Sequence, residues 1–155
     1  MAKIFRGRFE CKVDEKGRCS WPSTYRSLLN SKSRQMVVTN SQSQGQPILD
    51  VYTLPQWEKL ESQISKMPSL KKEVQAYRRF YLSGGQTLTL DGHGRFLIPS
   101  SLRAYAQIGE ELVLVGMGDK VEIWPAEVWV QVQGQMAKDF EETLRALAEL
   151  EGGLS

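Results

Sequence analysis

The sequence has no apolar run approaching the roughly 20 residues that a membrane-spanning helix requires. Nor does a basic start lead into an apolar stretch of signal-peptide length, so a cytoplasmic location is the expectation. Histidine occurs once, as His93, and cysteine twice, as Cys11 and Cys19. Such a set falls short of the ligands a zinc site needs, and two cysteines make no disulfide framework. No metal or cofactor is expected. The pair Gly84-Gly85 lacks the glycine spacing and following lysine of a phosphate-cradling loop and reads instead as a helix stop. His93 falls in a turn, with no nucleophile, base and orienting group in a recognisable arrangement, so catalytic residues are not expected and neither is an enzyme.

What is present is ordinary in bulk and uneven in distribution. Hydrophobic residues make up 41% of the 155 positions and charged residues 25%, which is enough apolar material for a packed fold. The net charge of +2 conceals a polarity along the chain. Residues 1–34 carry nine basic and three acidic side chains, a balance of +6, whereas residues 107–155 carry three basic and ten acidic, a balance of −7. A cationic front suits a polyanion, because lysine and arginine placed on phosphates release condensed counterions. Two solvated surfaces of opposite sign would produce the same count.

An internal repeat organises the chain. The segment from Val13 to Arg26 recurs from Leu90 to Arg103 at a constant offset of 77, and both copies read Asp-x-x-Gly-Arg-x-x-x-Pro-Ser-x-x-Arg. Met36-Val37-Val38 corresponds to Val113-Leu114-Val115, Leu49-Asp50-Val51-Tyr52 to Val121-Glu122-Ile123-Trp124, and Trp57 to Trp129. The first copy holds five extra residues within the polar stretch Asn40–Pro47, which reads as a loop. The division expected is a first module over residues 4–55, linking helices over 56–84, a second module over 85–127 and a C-terminal helix over 128–155. Trp57, Leu60, Ile64 and Met67, then Leu70, Val74, Tyr77 and Tyr81, recur at helical spacing and read as packing faces.

Asp14-Glu15-Lys16-Gly17 and Asp91-Gly92-His93-Gly94 carry Asp first and Gly fourth, the preference of a type I turn closed by a left-handed glycine. A hairpin about the first turn sets Asp14 opposite Arg18 and Val13 opposite Cys19. Phe9, Cys11, Val13, Cys19 and Trp21 then share an inner face, with Arg8, Glu10, Lys12, Arg18 and Ser20 outside. In the second copy Leu88, Leu90, Phe96 and Ile98 point inward, and only Leu97 breaks the separation. On this register Cys11 and Cys19 are diagonal neighbours, too far apart for easy bridging. Short helices are expected to begin at Ser23 and Ser100, serine being a capping residue type.

Arg18 and Arg95 each follow a turn and open an outward face. A guanidinium presents a rigid fork of donors suited to phosphate or to the O6 and N7 edge of guanine, and a two-stranded ribbon fits a major groove. The plainer reading is a cross-strand ion pair with Asp14 or Asp91. The two are compatible, since the carboxylate would orient the guanidinium. Arg6 and Arg8 join the DNA-binding candidates because they belong to the basic front.

The tandem Asp-x-x-Gly-Arg-x-x-x-Pro motif, the opening Ile4-Phe5-Arg6-Gly7, the central Arg78-Arg79-Phe80-Tyr81-Leu82-Ser83-Gly84-Gly85 and the strand Glu122-Ile123-Trp124 together resemble the MraZ family across residues 4–133. The resemblance implies an α+β, β-rich fold of two tandem AbrB/SpoVT-like swapped-hairpin β-barrel modules packed as a pseudo-dimer, with peripheral helices after each module. It implies a nucleoid-associated transcriptional regulator of the bacterial division and cell-wall gene cluster. Rings of about eight or more subunits on double-stranded DNA, bound at promoter direct repeats, are expected from it. It also puts the DNA-contacting positions on Asp14, Lys16, Gly17 and Arg18 and on Asp91, Gly94 and Arg95.

The sequence departs from the family pattern at Cys19-Ser20-Trp21, at Asn40–Pro47, and beyond the matched region, where Met136, Phe140, Leu144 and Leu147 lie along one helical side. The alternative from another class is an oligomeric assembly protein whose basic face binds an acidic protein partner. An antitoxin of the same barrel class would carry one module and a disordered tail, against which the duplication argues. Arg95→Ala is expected to weaken DNA binding less than Arg18→Ala, because the sequence around Arg95 is less basic.

Overall fold

The computed structural model describes residues 4–29, 34–150 and 152–153. The first half runs β1 (Arg8–Lys12), β2 (Arg18–Ser20), α1 (Ser23–Arg26), β3 (Gln35–Ser43), β4 (Gln46–Thr53), α2 (Leu54–Ser65), α3 (Lys72–Tyr77) and a π-helical turn over Arg78–Leu82. The second runs β5 (Gln86–Thr89), β6 (Arg95–Leu97), α4 (Ser100–Tyr105), β7 (Glu111–Gly116), β8 (Val121–Pro125), α5 (Ala126–Lys138) and α6 (Phe140–Ala148). No helix among the described residues is long and apolar enough to cross a membrane.

The fold is α+β, as expected, and the two halves interleave. A six-stranded antiparallel sheet has the order β1-β7-β8-β4-β3-β5, and β2 and β6 form a separate two-stranded ribbon. The pairing β1–β7 is the counterpart of β5–β3, while β2–β6 and β4–β8 pair each element with its own repeat. A pseudo-twofold axis therefore passes between Asp50 and Glu122 in one sheet and between Cys19 and Phe96 in the other.

Several expectations are corrected. The modules are not closed barrels, because β1 and β2 diverge after their turn, one joining the large sheet and the other the ribbon. Only the Asp14–Arg18 pair of the expected hairpin forms: Asp14 N donates to Arg18 O at 3.0 Å, but Val13 N turns to Glu110 O at 2.8 Å. Nor is Asn40–Pro47 a loop. It is the far end of the β3–β4 hairpin, with Asn40 opposite Leu49 and Ser43 opposite Gln46. Gln44 and Gly45 close it at φ 54° and 71°, the two positive values a type I′ turn demands. Its polar side chains had masked the strand.

The main core lies between sheet and ribbon, where Phe5, Trp21, Tyr25 and Phe96 meet edge-on and Met36, Leu49, Ile98, Leu112 and Ile123 are buried around them. The inward residues of both repeats arrive there as alternation requires, and Leu97 alone stays outside at 53% exposure. The other face of the sheet is covered in two patches. Trp57 of α2 and Tyr81 cover Val37 and Tyr52, and Trp129 of α5 covers Ile48, Val113 and Trp124. Helices α1 and α4 follow Pro22 and Pro99, which are themselves the N-caps. Ser23 and Ser100 stand inside the first turn and make no capping bond. The C-terminal helical pattern is broken at Asp139 into α5 and α6, and α6 buries none of its residues.

Candidate nucleic-acid interface

Each turn is built by its first aspartate. Asp14 Oδ1 accepts from Lys16 N at 2.9 Å and Arg18 N at 2.8 Å, and its backbone oxygen accepts from Gly17 N at 2.9 Å. Its Oδ2 accepts from Arg18 Nε at 2.8 Å. Asp91 repeats the arrangement with His93 N and Arg95 N at 2.9 Å, Gly94 N at 3.0 Å and Arg95 Nε at 3.0 Å. The backbone N–H of Arg18, with its guanidinium and the Lys16 N–H, holds the Asp14 carboxyl below the usual carboxylate range. Asp91 is lowered to about 2, first by the Arg95 backbone N–H and then by His93 N–H and the Arg95 side chain. Both stay ionised at neutral pH, so each arginine is oriented through Nε and its Nη groups remain for another acceptor.

The ribbon brings the two arginines onto one surface. Arg18 lies opposite Leu97 and Ser20 opposite Arg95, so these four side chains share the outward face while Cys19 and Phe96 point into the core. The Arg18 and Arg95 side chains keep 30% and 32% of their surface accessible, so neither is sealed inside. Each turn also grips the other half, since Ile98 N donates to Gly17 O at 3.1 Å and Trp21 N to Gly94 O at 2.9 Å.

Two residues within the repeat were not among the expected contacts. Arg103 of α4 crosses to the first turn, where a Cβ on Gly17 would lie 2.2 Å from its Nη1. Arg26 of α1 crosses to the second, at the same 2.2 Å from a Cβ on Gly94. Gly17 and Gly94 have φ of 86° and 75°, so glycine serves both the left-handed backbone and the space for the incoming guanidinium. The last arginine of the repeated motif carried this signal, but nothing in it told which turn the side chain would reach.

This exchange alters the local charge. Arg34 Nη1 donates to Asp91 O at 2.9 Å, so Arg26 and Arg34 from the basic front both stand at the second turn. The first turn gains Arg103 but borders a depression of about 420 Å³ where Lys12 is offset by Glu15, Glu110 and Glu111. The less basic surroundings expected for Arg95 are therefore not found. Arg8 lies away from both turns, at the far end of β1 opposite Val115, with its guanidinium 5.9 Å from the centre of the Trp129 ring, while Arg6 follows Phe5, whose ring packs on Trp21.

A family model described as "MraZ protein, putative antitoxin-like" matches residues 4–80 and again residues 81–149. A protein named transcriptional regulator MraZ from Pseudomonas aeruginosa is 39% identical over 127 residues, covering 81% of this chain and 83% of the relative. Another of that name, from Pelotomaculum thermopropionicum, is 33% identical over 151 residues, covering 97% and 100%. The solution structure of PHS018 from Pyrococcus horikoshii aligns at a TM-score of 0.35 and 14% identity over 79% of this chain and 89% of that one, a likeness too slight to support an argument.

Proposed function

The chain belongs to the MraZ family, and from that premise we propose that it is a DNA-binding transcriptional regulator, not an enzyme, whose β2–β6 ribbon carries the recognition surface. The observation that carries this reading is the pair of aspartate-oriented arginines on one narrow outward ribbon. A ribbon of two strands fits the major groove, where an arginine fork reads guanine or grips phosphate, and Leu97 beside Arg18 offers an apolar contact for a thymine methyl. Lys16, Arg26, Arg34 and Arg103 surround it with charge for the backbone phosphates. Single ribbons bind weakly, so an oligomeric ring engaging direct repeats upstream of the division and cell-wall genes is part of the proposal.

The test is a gel shift at fixed salt with DNA from directly upstream of the chain's own coding sequence, beside a scrambled duplex. Arg18→Ala and Arg95→Ala are each expected to cost about 1–3 kcal/mol of binding while leaving the fold intact. Given the exchanged charges, Arg95→Ala should cost at least as much as Arg18→Ala. Unchanged affinity in both folded variants removes the assignment, and equal binding of promoter and scrambled duplex favours an acidic protein as the partner of the basic face.

A further inference from the structure

The divergence of β1 from β2 has a chemical result at the first turn. Cys11 and Cys19, expected as diagonal neighbours on paired strands, instead reach toward each other from strands of different sheets. The Cys11 thiol donates to Ser20 O at 3.6 Å and the Cys19 thiol to Lys12 O at 3.5 Å, so each side chain reaches across to the backbone beside the other cysteine. Both are free thiols, Cys19 buried at 1% exposure and Cys11 half-buried. The second half fills the corresponding positions with Leu88 and Phe96, both buried apolar side chains, so the feature belongs to one turn only.

Their environments divide the roles. The hydrogen bond from Cys19 lowers Cys11 below a thiol's usual range, and the same bond together with burial pushes Cys19 far above it. A thiolate is the attacking species in thiol oxidation, and a neighbouring thiol resolves the first product. Cys11, which is also the more exposed of the two, is therefore the attacking group, and the buried Cys19 the resolving one.

We propose that Cys11 and Cys19 form a peroxide-sensitive dithiol that closes into an intramolecular disulfide and thereby weakens the grip of the first turn on DNA. The Cys11 thiolate attacks one peroxide oxygen, the O–O bond breaks, and hydroxide leaves to collect the proton Cys11 had released. Cys11 is then a sulfenic acid. The Cys19 sulfur attacks the Cys11 sulfur, the S–O bond breaks, and the departing oxygen leaves as water with the Cys19 proton. Two thiols are oxidised by two electrons and one peroxide is reduced to two waters.

The link to DNA follows from where the bridge falls. A disulfide holds its sulfurs at about 2.05 Å, well inside the contact distance of two thiols. The strands it draws together are hydrogen-bonded into different sheets, β1 to β7 and β2 to β6. The strain therefore falls on the closed ring between them, which contains Asp14, Gly17 and Arg18. The modification stands on the crossed thiol contacts and the difference in exposure, and its effect on binding rests on the DNA reading above.

The experiment uses the full chain, exposed to hydrogen peroxide, cleared with catalase, denatured and alkylated, then read by intact mass and peptide mapping. Both thiols are expected to become unavailable to the alkylating agent, with a Cys11–Cys19 cross-linked peptide that dithiothreitol reverses. Cys19→Ala should stop at a sulfenic acid on Cys11 that dimedone traps, and Cys11→Ser should leave Cys19 alkylatable. Two thiols that stay reactive, or a bridge found only between chains, overturn the proposal. A gel shift of the same samples should show oxidised protein binding its upstream duplex about tenfold more weakly, as for one lost charge-assisted contact, with recovery on reduction. Equal affinity before and after a verified bridge overturns the coupling. Failure of the reduced protein to bind at all counts against the DNA reading instead and leaves the thiol result standing.

Discussion

At Gly94 one absent carbon serves two purposes, and the contrast with Gly92 separates them. Gly94 has φ of 75° and would set a Cβ against Arg26, whereas a Cβ on Gly92 meets nothing within 4 Å. Gly94→Ala is expected to cost about 1–2 kcal/mol for the left-handed backbone, and to weaken DNA binding because Arg26 must move. Gly92→Ala should stay within about 0.5 kcal/mol of the parent and bind normally. Urea denaturation and gel shifts on the two variants check this, and equal behaviour would dissolve the distinction. The left-handed turn was legible in the spacing of Asp91, Gly94 and Arg95. The need for room was not, because Arg26 comes from the other half of the chain and a turn motif records only its own neighbours.

Among the elements, β4 and β8 meet at an unusual place for a sheet centre. Asp50 is fully buried opposite Glu122, accepts from Tyr81 Oη at 2.5 Å and Lys120 Nζ at 3.1 Å, and has one oxygen without a partner among the described residues. Tyr81 and Tyr52 share a further hydroxyl contact of 2.6 Å, which fastens the π-helical turn to the sheet. Burial, with Asp50 nearby, raises the Glu122 carboxyl against the opposing pull of Trp124 and Lys120. Lys120→Met removes the compensating cation and leaves Asp50 an unpaired buried charge. It should destabilise by about 3–5 kcal/mol in a urea titration, and a loss below about 1 kcal/mol would show that Asp50 does not depend on Lys120. The strand positions of Asp50 and Glu122 were readable from the repeat, but their juxtaposition was not. Alternation assigns a face and says nothing of a partner: the inner face of β1 is satisfied equally by β2, as expected, or by β7, as found. The same ambiguity hid the way Cys11 and Cys19 reach toward each other from different sheets.

For the molecule as a whole, interleaving means that neither repeat has a complete set of strand partners by itself. A fragment of residues 81–149 lacks β1, β2, β3 and β4, the partners of β7, β6, β5 and β8. It should be unfolded or pair with a second copy of itself, and a folded monomer by circular dichroism with light scattering would contradict the exchanged topology. The repeat made duplication plain in the sequence, and the pseudo-dimer followed from the family resemblance. The open edges did not, because barrel closure depends on strands that part after their turn.

Exchange of strands also governs the order in which the protein can be made. While the chain is being synthesised, β1 must stay unmatched until residues 111–116 have left the ribosome, and β2 until residues 95–97 have done so. Pairings between segments so distant in sequence are slow to form, and solitary strand edges are sites of aggregation. The nascent protein thus carries β1 and β2 unmatched long after its β3–β4 hairpin has closed, and those two strands are the ones that need shielding while translation continues.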